Sequence, residues 1–368
     1  MKRNILGVTI WILAFIIGLC TSSHARVSGV CSNCHTMHNS QNGQPVSADG
    51  PNTNLTKYDC VGCHSSSTSS TTYQLGDSTV PVVLYTGGSA PTQYLAGGNF
   101  WWVKEGLGNT DGKIGDPKGH NVFLGEDDDF LTEAPGSSIN CTNSCHTRLS
   151  EKAQAGDPRL QGKYGCSGCH VFVRHHANDH PNGNYNNVVG KDGGWYRYLP
   201  SPHVTNYGVE GIEDSDWQAT VSASDHNEYL GKATSFTNSG GFMAIGADTM
   251  TAYCTGCHGN FHIENADYKG GSPWLRHPSD AVIPDRGEYA NYTTYNPLAP
   301  VARPDLSNFN GPSATVTPGQ DMVMCLSCHR PHGSPYDDIL RWDYSQCTVG
   351  NSSECGCFIC HTNKGTYQ

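Results

Sequence analysis

Cys325-Leu326-Ser327-Cys328-His329-Arg330-Pro331-His332 decides how this chain is read. Two cysteines separated by two residues, with a histidine directly after the second, form the attachment motif of a c-type haem. The two thiols meet the two vinyl groups of one porphyrin, which delivers the adjacent histidine to the iron as proximal ligand. The same pattern stands at Cys31/Cys34/His35, Cys60/Cys63/His64, Cys166/Cys169/His170, Cys254/Cys257/His258 and Cys357/Cys360/His361. Chance supplies roughly 0.04 copies at this composition, so six copies exclude coincidence. Structural zinc sites and thioredoxin-like redox pairs also use Cys-x-x-Cys, but neither demands histidine after every second cysteine.

A seventh candidate, Cys141-Thr142-Asn143-Ser144-Cys145-His146, carries one extra residue between its cysteines. The wider loop can still reach both vinyls, and His146 keeps its place beside the second cysteine. The competing reading is a degenerate site or two structural thiols, although free thiol pairs are a liability in an oxidising compartment. About seven haem c groups are therefore expected. Outside the leader, Cys347 and Cys355 are left over, and their parity and proximity suggest a disulfide. Cys355 also competes with Cys357 as a wider-spaced attachment point, with the standard spacing favouring Cys357.

Each iron needs a second axial ligand. Beyond the proximal seven, the mature chain offers His38, His120, His175, His176, His180, His203, His226, His262, His277 and His332. Two of its few methionines, Met322 and Met324, crowd the Cys325 motif, so histidine is expected on both faces of each iron. Such bis-His iron is six-coordinate, sits at lower potential than Met/His iron, and offers no open position to a substrate. His38 and His332 follow a proximal histidine by three residues and His262 by four, spacings that on a short helix turn both rings to one face. His120, His226 and His277 lie in long stretches between motifs that otherwise have no obvious task. In the run from Arg174 to His180, at least one ring is expected to ligate, His175 or His176 before His180. His203 is the weakest candidate.

The rest of the composition agrees with a polypeptide that folds around porphyrin. Forty-three glycines and 20 prolines predict much turn and loop, and apolar residues make up only 36%. Between motifs there is neither sustained helical periodicity nor regular strand alternation. Seven haems share about 49 residues each, too few for separate haem-binding domains, so residues 26–368 read as one multihaem domain with closely packed haems. Trp101, Trp102, Trp195, Trp217 and Trp274 are expected against porphyrin faces. Glu126-Asp127-Asp128-Asp129 reads as a solvated acidic loop before a calcium site.

Residues 1–25 have the shape of a secretory leader: Lys2 and Arg3, an apolar run from Ile5 to Leu19, and the small-x-small Ser23-His24-Ala25. Lipidation at Cys20 is disfavoured because Leu19 precedes it where a small residue is wanted. The formal charge of −11 becomes −13 once Lys2 and Arg3 leave, and propionates add to it, which argues against nucleic acid or anionic lipid as partner. No second apolar run is long enough to span a membrane.

Cys31-Ser-Asn-Cys-His-Thr-Met-His38-Asn-Ser, Lys118-Gly-His-Asn121, Leu275-Arg-His-Pro278 and the stretch from Cys325 to His332 resemble segments of the outer-surface multihaem cytochromes of metal-reducing bacteria. The nearest likeness is to the hexahaem cytochrome that polymerises into conductive filaments. The resemblance implies a fold of mostly irregular coil with short helices and few strands, wound around a continuous stack of haems. It also implies a homopolymer in which His38 ligates the haem of Cys325, Cys328 and His329 in the adjoining subunit. This chain departs in having seven motifs, one of them unusual, and in a tract from Trp195 to Asn227 with no counterpart.

The reading favoured by these residues is an exported electron-transfer protein at the cell surface or outside it. It would pass respiratory electrons to redox-partner cytochromes or extracellular acceptors, as a filament. A monomeric periplasmic or surface carrier is the alternative within that class. A multihaem reductase is the alternative outside it, but such enzymes need an iron with an open or specially ligated position, often marked by lysine in the motif. Every motif here ends in histidine.

Overall fold

The computed structural model describes residues 27, 29–48, 50–68, 70–106, 118–123, 134–135, 149–151, 164–171, 173–176, 187–200, 206–233, 248–258, 277, 279–351 and 354–365. The leader, Cys20, the wide motif Cys141/Cys145/His146, the acidic run at 126–129, and His180, His203, His262 and Trp274 lie outside the described residues.

Each described motif is built by one local device. The motif histidine donates its backbone N–H to the carbonyl of the first cysteine: His35 to Cys31 at 2.8 Å, His64 to Cys60 at 2.8 Å, His170 to Cys166 at 2.9 Å, His258 to Cys254 at 3.0 Å, His329 to Cys325 at 3.1 Å and His361 to Cys357 at 2.9 Å. This single i to i−4 bond winds one helical turn, which brings cysteines three apart onto one face with the histidine next in line. The turn is an α-helix at Cys60–Cys63, Cys166–Cys169 and Cys357–Cys360, and a 3-10 helix at Cys31–Asn33 and Cys325–Ser327. The Cys254 motif differs: the helix Met250–Cys254 ends on its first cysteine, and Cys257 stands in the turn beyond. There the Cys257 N–H donates to the Cys254 carbonyl at 3.1 Å, which tightens the end of the helix and keeps the two thiols one turn apart. Side-chain caps start two of the helices: Asp59 Oδ1 accepts from Gly62 N at 2.6 Å, and Thr249 Oγ1 from Ala252 N at 3.1 Å.

Longer regular structure is scarce. Among the described residues the longest helix is Trp101–Gly106, and no strand exceeds four residues. None of their helices is long and apolar enough to cross a membrane. The chain is thus mostly irregular, with short helices and small sheets. The largest sheet joins six short strands in the order Ala281–Val282, Met322–Val323, Ala302–Arg303, Glu228–Leu230, Gly211–Ile212 and Val188–Val189. Its neighbours are antiparallel except Glu228–Leu230 with Ala302–Arg303, where Ala302 faces Tyr229 in parallel register.

A buried ion cluster pins the centre of that sheet. Arg303, 1% exposed, donates from Nε to Glu228 Oε2 at 2.8 Å, from Nη2 to Glu228 Oε1 at 3.2 Å and from Nη1 to Asp321 Oδ2 at 2.6 Å. The carbonyls of Thr315 and Ser313 take its remaining donors. Every charge is met by geometry a guanidinium fork supplies and an ammonium could not.

Among the described residues, apolar side chains gather in four separate clusters rather than one core. Three of them pack against a motif cysteine: Cys254 against the cluster that holds Tyr229 and Met250, Cys166 against that of Val103 and Val122, and Cys360 against that of Ile283 and Tyr292. The aliphatic supply is thus divided among the motifs.

Candidate haem-binding sites

In every described motif the proximal ring is already oriented. Nδ1 donates to the Asn54 carbonyl in His35 at 3.0 Å, to Pro81 in His64 at 3.0 Å, to Arg197 in His170 at 2.8 Å, to Pro135 in His258 at 2.7 Å and to Asp338 in His329 at 2.9 Å. His361 differs: its Nδ1 donates to the Glu288 carboxylate at 3.0 Å. Holding the proton on Nδ1 leaves Nε2 as the lone-pair nitrogen, the form a metal binds. Burial pushes the pKa of His64, His170 and His329 down, and that of His258 down to about 4, which keeps these rings neutral. Glu288 is held below the usual carboxylate range by its bond to His361, with Lys364 adding to the effect.

Five of the six described proximal rings face a second histidine across a gap. Ring centroids stand 6.1 Å apart for His35 and His176, 6.0 Å for His64 and His175, 6.1 Å for His170 and His332, 6.1 Å for His258 and His120, and 6.4 Å for His361 and His277. Rings in contact would sit closer. Two imidazoles bound to one metal through nitrogens at about 2 Å place their centroids about 6 Å apart, so the spacing fits an iron between them. Of the second rings, His120 is held in the same way, its Nδ1 donating to the Pro331 carbonyl at 2.9 Å, whereas His332 Nδ1 is buried without a hydrogen-bond partner and burial holds the pKa of that ring down to about 3.

His329 and His38 fall outside this pairing. Among the described residues no histidine faces His329, and His38 is exposed, held at φ 55° in a tight turn. The close approach of Gly98 to Gly333 seats His332 instead: Gly98 has φ 92°, and a Cβ there would collide with the Gly333 carbonyl, so the 95–100 loop can press against the His332 segment.

His226 corrects the sequence reading. Its place between motifs marks it as a distal ligand, yet it is 1% exposed and stacks on Tyr295 at 3.5 Å and 4°. Both ring nitrogens are engaged, Nδ1 with the Asn227 carbonyl at 2.9 Å and Nε2 with the carbonyls of Ala223 at 3.2 Å and Ser313 at 3.3 Å. In this arrangement neither ring nitrogen stands open to an iron. It is a core histidine of the tract that includes Glu228.

Thiols of successive described motifs also lie near one another in chain order. Cys60 and Cys166 lie within hydrogen-bond reach, which draws Cys60 down to about 7 and pushes Cys166 up; the same relation holds Cys325 down and Cys254 up. Cys34 lies near Cys63, Cys169 near Cys254, and Cys357 and Cys360 near Cys328. Cys257 is half-buried beside Cys254, and both thiols lie close enough to Tyr253 to help burial push its phenol up. The described motifs therefore form one unbroken row from Cys31 to Cys360. Two further observations fit a cofactor bearing propionates. Arg330 has its Nε buried without a partner, and the donors of Arg341 reach only the carbonyls of Leu326, Pro297 and Ala96. These are one half-buried and one buried cation with no carboxylate among the described residues to answer them, beside the Cys325 motif. A disulfide joins Cys347 to Cys355, while the twelve described motif cysteines, Cys257 among them, form none.

Residues 317–366 match the family model described as a doubled CXXCH motif. The C-type cytochrome OmcS of Geobacter sulfurreducens is 28% identical to the chain over 394 residues, covering 90% of this chain and 83% of that protein. Among solved structures, the Outer Membrane Cytochrome S filament from Geobacter sulfurreducens superposes with a TM-score of 0.51 at 20% identity. It covers 90% of this chain and 88% of its own. The OmcS nanowires from the same organism, seen by cryo-EM, give 0.50 at 21%, covering 93% and 95%. The chain has the multihaem cytochrome c fold. The likeness read from the motifs to filament-forming cytochromes is borne out, and the cytochrome binds haem c and transfers electrons. When bound, haem iron supplies the one-electron ferric/ferrous couple, and the polypeptide supplies ligands, spacing and exclusion of water.

Sequence reasoning missed which histidine faces which proximal ring, and it missed Glu288. Nothing in the sequence marks that glutamate, because its partner is 73 residues away.

Proposed function

We propose that this cytochrome is an exported conduit of about seven bis-His haems that polymerises and carries respiratory electrons to acceptors outside the cell. The observation that carries the reading is the pattern of pairing among the described residues: five histidine pairs at iron spacing, with no second ring facing His329 and with His38 exposed and facing no proximal ring. His38 of one subunit then ligates the iron at His329 of the next. A head-to-tail contact of this kind, repeated without closing, generates a filament. Each haem is held through the two cysteines of its motif, so Cys257 forms the second thioether beside Cys254 although it lies past the end of that helix. The wide motif Cys141/Cys145/His146 holds the seventh haem, and residues 26–368 act as a single domain behind a leader at 1–25. Redox-partner cytochromes or extracellular acceptors receive the electrons.

Electron microscopy of the secreted protein, wild type and His38→Ala, tests this. Filaments are expected from the wild type alone, with one haem per subunit turning high-spin in the variant. Filaments of unchanged form from His38→Ala, with every haem low-spin, would overturn the proposal.

A further inference from the structure

Six proximal histidines can be compared within one chain, and five share the same Nδ1 partner, a backbone carbonyl. Only His361 is bonded to a carboxylate among them, and the carboxylate is placed by several contacts. Glu288 occupies the first turn of the 3-10 helix Gly287–Asn291. The Thr362 hydroxyl donates to its main-chain carbonyl, Asn291 Nδ2 donates to Thr362 Oγ1 at 3.1 Å, and Lys364 Nζ stands 3.5 Å from Glu288 Oε2. The side chain is only 12% exposed, so solvent screens it little.

We infer that Glu288 is a tuning residue which sets the haem of Cys357, Cys360 and His361 to a lower reduction potential than a carbonyl partner would allow. A full negative charge on the acceptor draws the Nδ1 proton toward oxygen and makes the imidazole a stronger donor at Nε2. Stronger donation, and the negative charge itself, favour ferric over ferrous iron, and hydrogen bonding around a haem is one of the protein's levers on potential. No proton need leave the ring and no further reactant is needed: the couple remains one electron onto iron. Lys364 partly offsets the carboxylate. The last motif in the chain is thereby set apart from its neighbours in the row, and its haem is filled with electrons later than a carbonyl-bonded one would be.

The inference rests on the reading that this motif carries haem, so the test begins with peptide mass mapping of the full-length exported protein. An unmodified Cys357–Cys360 peptide would sink that reading, and the tuning role with it. With haem in place, spectroelectrochemical titration is run on wild type, Glu288→Gln and Lys364→Met. Glutamine keeps an acceptor for His361 without the charge. In Glu288→Gln one component is expected to move upward by about tenfold in its reduced-to-oxidised ratio at fixed potential, about 59 mV for one electron, while the others hold. In Lys364→Met the same component is expected to move downward. A change under about twofold in Glu288→Gln, or one shared by all components, would overturn the tuning role and leave the haem reading intact. If Glu288→Gln fails to load this haem, Lys364→Met alone decides: an unmoved or upward component overturns it.

Discussion

His170 and His332 face each other with ring centroids 6.1 Å apart and planes inclined at 57°, although they come from distant parts of the chain. His332 reaches that position because its backbone N–H donates to the Gly97 carbonyl at 2.7 Å, and Phe100 lies against the ring at 4.8 Å. The ring three residues after one motif histidine thus faces the proximal ring of another motif.

Replacing His332 with alanine should convert one haem, that of Cys166 and Cys169, from low-spin to high-spin. Magnetic circular dichroism of the oxidised protein reads the change. The haem count by intact mass should stay the same, because attachment is through the cysteines.

His226→Ala should behave in the opposite way. All haems should remain low-spin, while the lost stack on Tyr295 and the unmet carbonyls lower stability by about 2–4 kcal/mol, read by denaturant titration. A new high-spin signal would return His226 to the ligand set.

Arg303→Met should be more damaging to the fold than to the haems. It strands the carboxylates of Glu228 and Asp321 in the interior, and breaking one side of a buried ion cluster costs about 3–5 kcal/mol. Denaturant titration at constant pH measures the loss, and the spectrum of the folded fraction should be unaltered.

Asp280 gives a pH signature. Burial lifts its carboxyl to about 6 from an ordinary 3.8, Oδ1 has no partner, and Oδ2 accepts from Thr249 at 2.8 Å. The folded state therefore prefers the protonated form: the contribution is whole below about pH 4 and is lost as pH rises through about 6. Asp280→Asn keeps an acceptor for Thr249 and removes the charge. Its stability relative to wild type should climb between about pH 4 and pH 6 and level off near 3 kcal/mol, on the order of 1.36 kcal/mol per unit. A flat difference across that range would contradict the assignment.

The parts of this molecule that were legible in the sequence are those built within one helical turn. Covalent attachment needs two cysteines and a histidine in fixed order, so Cys60, Cys63 and His64 declare themselves wherever the rest of the chain goes. The second ligands do not, because pairs such as His120 with His258 depend on contacts between distant segments. A histidine between motifs, such as His226, looks the same in sequence whether it meets iron or a tyrosine ring. The six-stranded sheet was equally hidden: strands of two or three residues, such as Ala302–Arg303, are too short to display an alternating pattern.

A cryo-electron microscopy map of the secreted protein puts the pairing of histidines to the test at each motif. Iron-centred porphyrin density is expected between His35 and His176, His64 and His175, His170 and His332, His258 and His120, and His361 and His277. Density showing these proximal rings bound to other partners, or the paired rings in direct contact with nothing between them, would contradict it.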